Sequence, residues 1–305
     1  MAQPNEQNSS NSPNSQAGVI GVGNLGGPMA ERLLDAGWPV AVFDTQPAAV
    51  KALADRGATA CASPADLART ADVILLVVRT AQDVEDVLFG PSGIAGSARP
   101  DALICVVATV ALEDLKRIAA KAAEQSLAVV DAAIGGGAPS VANGTAAAMI
   151  GGTQAQFDRI NGPFGTFCGD LIHVPGIGGG MRLKLIKNHL SYLAMMVGME
   201  AETLARAADI ELPLVTRVIE SSHLVKQFLY MYLESGETAP LPADAPKDQI
   251  AVQEAMASLC RKDLAAARDL AAASGIELPI AAAVERRAER LFRVPGTETF
   301  SDPES

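Results

Sequence analysis

Between residues 17 and 131 short apolar runs alternate with amphipathic segments, and beyond residue 209 only helix-type periodicity remains. Residues 17–21, 38–43, 72–78, 102–108 and 127–131 read as buried strands, and helical spacing falls between them at 25–36, 47–56, 81–89 and 112–124. Parallel neighbours need a crossover and a helix is the usual one, so this alternation predicts a mostly parallel sheet with helices on both faces. Residues 146–151 and 171–174 add two strand-like segments. The cluster Gly176, Gly178, Gly179 and Gly180 then opens a long helical pattern that ends near Asp209. Helices are expected at 212–220, 222–233, 250–273 and 279–292, with a surface loop at 236–248 that holds three prolines.

These patterns predict an α/β chain: a Rossmann-type doubly wound sheet, a long interdomain helix and an all-α C-terminal domain. The expected boundaries are a disordered tail at 1–16, a dinucleotide-binding domain at 17–178, the helix at 179–208, an all-α substrate and dimerisation domain at 209–293, and a flexible tail at 294–305.

Composition narrows the function classes. Residues 1–16 are almost all Asn, Ser, Gln and Pro, with neither the basic start nor the apolar centre of a signal peptide. The greasiest run, inside 190–201, falls short of the roughly 18 residues that span a bilayer, so no membrane segment is expected. Lysine and arginine total 24 against 35 acids, a formal charge of -11, which argues against general nucleic-acid binding because phosphate contacts need clustered basic groups. Cys61, Cys105, Cys168 and Cys260 form no CxxC pair and the three histidines fall in separate segments. Reduced thiols, a cytoplasmic setting and no metal site are the expectation.

The first strand runs straight into Gly21-Val22-Gly23-Asn24-Leu25-Gly26, with a helix behind it. Gly21 makes the tight turn, Gly23 lets the backbone approach a pyrophosphate, and Gly26 allows close packing of helix on strand. The free N–H groups and positive dipole end of that helix suit the anion. Asp44 ends the second strand, where a carboxylate accepts from both ribose hydroxyls and repels a 2'-phosphate. Thr45 follows it rather than an arginine, so NAD is preferred, with NADP possible. Ligands of such sheets sit beyond the strands' C-terminal ends, which puts Val78, Arg79, Ala108 and Thr109 along the cofactor crevice.

Two further stretches carry candidate chemistry. Gly135, Gly136 and Gly137 read either as an ordinary loop or as bare backbone N–H groups offered to a small anionic or polar substrate. On the long helix, Lys184, Lys187, Asn188 and Ser191 share a face. Spacing alone leaves a solvated edge as the plainer reading of Lys184 and Asn188, and a surface position as that of Lys262. His189, His223, Tyr230 and Tyr232 are weaker candidates.

Taken together these motifs resemble the β-hydroxyacid dehydrogenase family, which includes 3-hydroxyisobutyrate and 6-phosphogluconate dehydrogenases. Four stretches carry the resemblance in order: Gly21 to Ala30 for the cofactor signature, Asp131 to Gly137 with Gly144-Thr145 for the substrate loop, Gly176 through Lys184 to Asn188 for the catalytic helix, and Lys262-Asp263-Leu264. The resemblance implies Lys184 as general acid/base, Asn188 as its partner in holding the substrate, Thr109 beside the nicotinamide, Lys262 reaching the cofactor site, and a homodimer. Asn24 and Leu25 join the glycines as cofactor contacts, and Gly135, Gly136 and Gly137 join Lys184 and Asn188 as substrate contacts. The chain departs from the family where Gly135 replaces a serine, Ala133 a proline, Lys187 an asparagine, and Arg79 a proline. The implied activity is NAD-dependent hydride transfer to or from a hydroxy acid or related alcohol. Two rivals stand beside it: an imine reductase on the same scaffold, which Lys184 argues against, and a dinucleotide-binding module without turnover.

Overall fold

A computed structural model describes residues 15–222, 224–235 and 237–297. The chain begins β1 (Ala17–Ile20), α1 (Gly26–Asp35), β2 (Val40–Phe43), α2 (Pro47–Ala54), β3 (Thr59–Ala60) and α3 (Pro64–Ala68). It continues β4 (Val73–Leu76), α4 (Ala81–Phe89), β5 (Leu103–Val106), α5 (Leu112–Glu124) and β6 (Ala128–Gly135). After α6 (Gly137–Ala142), β7 (Ala146–Gly152), α7 (Gln154–Gly165) and β8 (Cys168–Pro175) comes the long α8 (Gly179–Ala207).

The eight strands form one sheet in the order β3, β2, β1, β4, β5, β6, β7, β8. Every neighbouring pair is parallel except β6 with β7. The sheet is doubly wound, as the alternating pattern predicts. Among its inner strands β1, β4 and β5 are apolar along their whole length because both faces are covered. Val19, Leu75, Cys105 and Val130 lie in one core, while Ile20, Ile74, Leu76 and Ile104 lie in the other. The chain leaves β1 first toward β2 and later, across to β4, toward β6, so the order reverses between β1 and β4. Such a reversal opens a crevice at the strands' C-terminal ends.

One expectation is corrected here. The strand expected at 127–131 runs on to Gly135, and the glycine-rich stretch behind it is not a loop. Asp131 to Gly135 pair antiparallel with Gly151 to Ala147, so partners elsewhere in the chain turn small, loop-like residues into strand. Gly136 then takes a left-handed conformation (φ 99°) and caps α6.

The packing divides the chain into two compact units, Met1–His189 and Leu190–Ser305, a division that falls inside α8. The second unit holds α9 (Leu212–Ser222), α10 (Leu224–Ser235), α11 (Lys247–Ala272), α12 (Pro279–Arg286) and α13 (Ala288–Leu291). The single helix expected over 279–292 is thus interrupted at Arg287, whose φ of -114° and ψ of 21° are not helical. Within this unit the Glu200 carboxylate accepts from the backbone N–H groups of Ile280 and, at 3.1 Å, Ala281, capping α12. Among the described residues no helix is long and apolar enough to cross a membrane.

Candidate active site

The nucleotide turn lies where β1 gives way to α1. Gly21 has a φ of +89°, and a Cβ there would fall 2.2 Å from the Val77 carbonyl oxygen. At Gly26 a Cβ would fall 1.9 Å from the Gly21 carbonyl oxygen, so only glycine lets α1 start this close to the strand. A Cβ on Gly23 would meet nothing within 4 Å. The three glycines therefore differ in kind: two are demanded by the fold, and the third leaves open space above the turn.

A cavity of about 500 Å³ adjoins that turn, walled by Gly21, Gly23, Asp44, Thr45, Val78 and Arg79. Asp44 follows β2 directly and is tied down at both oxygens: Oδ2 accepts from Val22 N at 2.7 Å, and Oδ1 from Gln46 N at 2.8 Å. Opposite it, Arg79 and Thr80 follow β4, and their backbone N–H groups donate to the Asp83 carboxylate at 3.3 and 3.0 Å. The Thr80 hydroxyl accepts from Asp83 N in return, which completes a capping box on α4. The space over Gly23, the helix start at Gly26 and the carboxylate at Asp44 fit a dinucleotide: pyrophosphate over the turn, ribose hydroxyls at Asp44.

Lys184 belongs to the second turn of α8 and is half-buried. Its Nζ donates to the Ile134 carbonyl oxygen at 2.5 Å. Burial and, after it, the charge of Lys187 hold the Lys184 amine below its ordinary value of 10.5. The start of α8 is fixed to the same strand by Asp131, whose Oδ1 accepts from Gly178 N and Oδ2 from Met181 N, each at 2.6 Å. Burial pushes the Asp131 carboxyl up from its ordinary value against the pull of these N–H groups.

Strand register ties the other edge positions to this point. Val106 on β5 pairs with Asp131 on β6. Thr109 and Ile134 each lie three residues further along, beyond the C-terminal end of β5 and at that of β6. Thr109 is exposed just past its strand, whereas Ala108 is buried. Gly135 is buried in β6, and a Cβ there would make only ordinary contacts, 3.6 Å from the Ala147 carbonyl oxygen and from Met149 Cε.

The remaining candidates scatter. Asn188, one turn after Lys184, is partly exposed, and Lys187 and His189 are exposed. Gly144 and Thr145 close α6, donating from their backbone N–H groups to the Val141 and Ser140 carbonyls, with Gly144 beside the Arg32 guanidinium. Lys262 is in the second unit on α11, its side chain 71% exposed and 3.3 Å from Asp263 Oδ1. The Tyr232 hydroxyl donates to the Leu291 carbonyl. Tyr230 is exposed, and His223 lies outside the described residues. Sequence reasoning passed over the Asp131 carboxylate and the Ile134 carbonyl. An acid inside an otherwise apolar strand was the one available signal for the first, and a backbone acceptor leaves none.

Residues 16–174 match the family described as the NAD binding domain of 6-phosphogluconate dehydrogenase. An uncharacterized oxidoreductase of Mycobacterium tuberculosis is 34% identical over 285 residues, covering 92% of this chain and 95% of that protein. The NAD-dependent L-serine dehydrogenase of Pseudomonas aeruginosa is 30% identical over 268 residues, covering 87% and 88%. A solved structure from Mycobacterium avium 104, described provisionally as an oxidoreductase, superposes with a TM-score of 0.76 at 30% identity, covering 92% of this chain and 99% of that one. An imine reductase from Myxococcus stipitatus, in complex with NAD+, has the same fold (TM-score 0.73, 19% identity, 90% and 92% covered).

Proposed function

This chain belongs to the β-hydroxyacid dehydrogenase family, and we propose on that ground that it is an NAD-dependent oxidoreductase of a β-hydroxy acid or a related alcohol or semialdehyde, with Lys184 as general acid/base. The observation that carries the role of Lys184 is its half-buried amine, held 2.5 Å from the Ile134 carbonyl at the sheet's C-terminal edge. When bound, the dinucleotide supplies the hydride acceptor at the substrate carbon. As the carbon gives up hydride, neutral Lys184 takes the hydroxyl proton; in the reverse direction its ammonium returns a proton to the new alkoxide. Desolvation and the Lys187 charge favour the neutral amine that the oxidation needs.

Gly21, Gly23, Asn24, Leu25 and Gly26 hold the pyrophosphate and Asp44 the ribose, with Val78, Arg79 and Thr109 as further cofactor contacts. The Asp44 carboxylate in the cavity wall supports NAD over NADP, because a 2'-phosphate would meet a negative charge there. Asn188 and the backbone at Gly135, Gly136 and Gly137 hold the substrate. Gly135 brings no hydroxyl to a substrate carboxylate where the resemblance expects a serine, which favours a less acidic substrate than a short hydroxy acid. Lys184 also counts against an imine reductase, a protein type that shares the fold.

A homodimer is part of this proposal. Tyr192, Met195 and Met199, at helical spacing on α8, are each more than 60% exposed, an apolar stripe that a second copy would cover. All four cysteines are free, in keeping with a cytoplasmic setting. The direct test is NADH formation across a panel of β-hydroxy acids, with amines as the contrasting substrates. Turnover of amines alone would favour the imine-reductase reading, and tight NAD binding without any turnover would favour a non-catalytic module.

A further inference from the structure

Among the described residues Asp131 is the one buried polar or charged side chain, with no exposed surface at all. Its carboxylate faces the start of α8, where both oxygens are used, one on Gly178 N and one on Met181 N. Gly151, across the β6–β7 pair, leaves it room, since a Cβ there would fall 2.1 Å from Asp131 Oδ1. Three residues along the strand from Asp131 stands Ile134, and three residues along the helix from Met181 stands Lys184, which donates to the Ile134 carbonyl. Residues three apart share a helix face, so Met181 and Lys184 meet the same strand. Three residues advance a strand by ~10 Å and a helix by only ~4.5 Å. The long lysine side chain makes up that difference, and where its amine ends depends on where the helix begins.

We propose that Asp131 is a positioning residue for Lys184: by gripping the first turn of α8 it sets how far along β6 the Lys184 amine reaches. This inference rests on the reading of Lys184 as the acid/base. A carboxylate is suited to the task, since two charge-assisted bonds at the positive end of a helix fix both rotation and advance. Asparagine has the same shape but only one acceptor oxygen, and so can satisfy only one of the two N–H groups.

Four proteins test it: the unaltered chain, Asp131→Asn, Lys184→Met and the double variant, each assayed for NAD affinity and for turnover of the best substrate from the panel. Asp131→Asn is expected to bind NAD within about twofold of the parent and to lose turnover by about 10- to 100-fold, the cost of a displaced catalytic group. Most of that loss should fall on kcat rather than on the KM for NAD. In the Lys184→Met background the same change should cost less than about threefold, because residues that act through one another are not additive. A parent-like kcat in Asp131→Asn, an equal loss in both backgrounds, or a variant that neither folds nor binds NAD would each overturn the proposal, the last by assigning the carboxylate to the fold alone. If Lys184→Met turns over as fast as the parent, the acid/base reading itself fails and this inference falls with it. A slow Lys184→Met beside a fast Asp131→Asn rejects only the positioning role.

Discussion

Lys184 on the long helix donates from Nζ to the main-chain carbonyl of Ile134 on the sixth strand at 2.5 Å, so the candidate acid/base is tethered to the sheet edge that also carries Thr109. The start of the same helix is held to that strand by the Asp131 carboxylate, which accepts from Gly178 N and Met181 N.

The pH dependence of turnover follows from this setting. Burial first, and Lys187 second, hold the Lys184 amine below 10.5, and alcohol oxidation needs it neutral. In the oxidation direction kcat/KM should rise with pH and level off once Lys184 is neutral, at a midpoint below 10.5. Lys187→Gln removes a repelling charge, raises that pKa and moves the limb to higher pH. An unmoved limb would show that Lys187 does not act on Lys184. The same shift reaches stability: between the two pKa values the unfolded chain binds the extra proton, so stability rises with pH there and falls as pH drops through the folded value.

The glycines of the nucleotide turn should separate fold from binding. Gly26→Ala forces a Cβ to within 1.9 Å of the Gly21 carbonyl oxygen. It should cost about 1–3 kcal/mol in denaturant unfolding without NAD, the range for overpacking. Gly23→Ala meets nothing within 4 Å and should unfold like the parent. Its methyl group stands where the pyrophosphate would approach, so NAD should bind about tenfold more weakly, which is ~1.4 kcal/mol. Equal stability of the two variants would contradict the packing argument.

Asp44→Ala should narrow or reverse the preference for NADH over NADPH in a fluorescence titration, because the charge that repels a 2'-phosphate is gone. Loss of the bonds from Val22 N and Gln46 N should also cost on the order of 1–2 kcal/mol of stability. Tighter binding of NADPH than NADH by the unaltered chain would refute this use of Asp44.

Gly135→Ser should fold, since a Cβ there has ordinary contacts at 3.6 Å. Stability should stay within about 1 kcal/mol of the parent. The new hydroxyl offers a donor beside Lys184's anchor, so KM should fall for short hydroxy acids relative to larger, uncharged alcohols. An unchanged ratio of the two would place the substrate elsewhere.

Much of the fold was legible because glycine and apolar alternation report local demands. Gly21 and Gly26 occupy places where no other residue fits, and a strand buried on both faces shows as an unbroken apolar run. The extension of β6 was hidden because Ala132, Ala133 and Gly135 have no strong strand preference of their own and become strand by pairing with β7. Thr59 and Ala60 form a strand too short and too exposed to leave a pattern. The interruption at Arg287 carries neither glycine nor proline to mark it. Within the candidate site, the type of Lys184 was readable and its acceptor was not, since every residue has a carbonyl. The burial of Asp131 depends on where α8 lands, which the local sequence does not state.

The most direct measurement is steady-state NADH formation from the best hydroxy acid of the panel, parent against Lys184→Met, at saturating NAD. Removal of a general acid/base should lower kcat by about 10²- to 10⁴-fold with NAD affinity preserved. Equal rates in the two proteins would contradict the account.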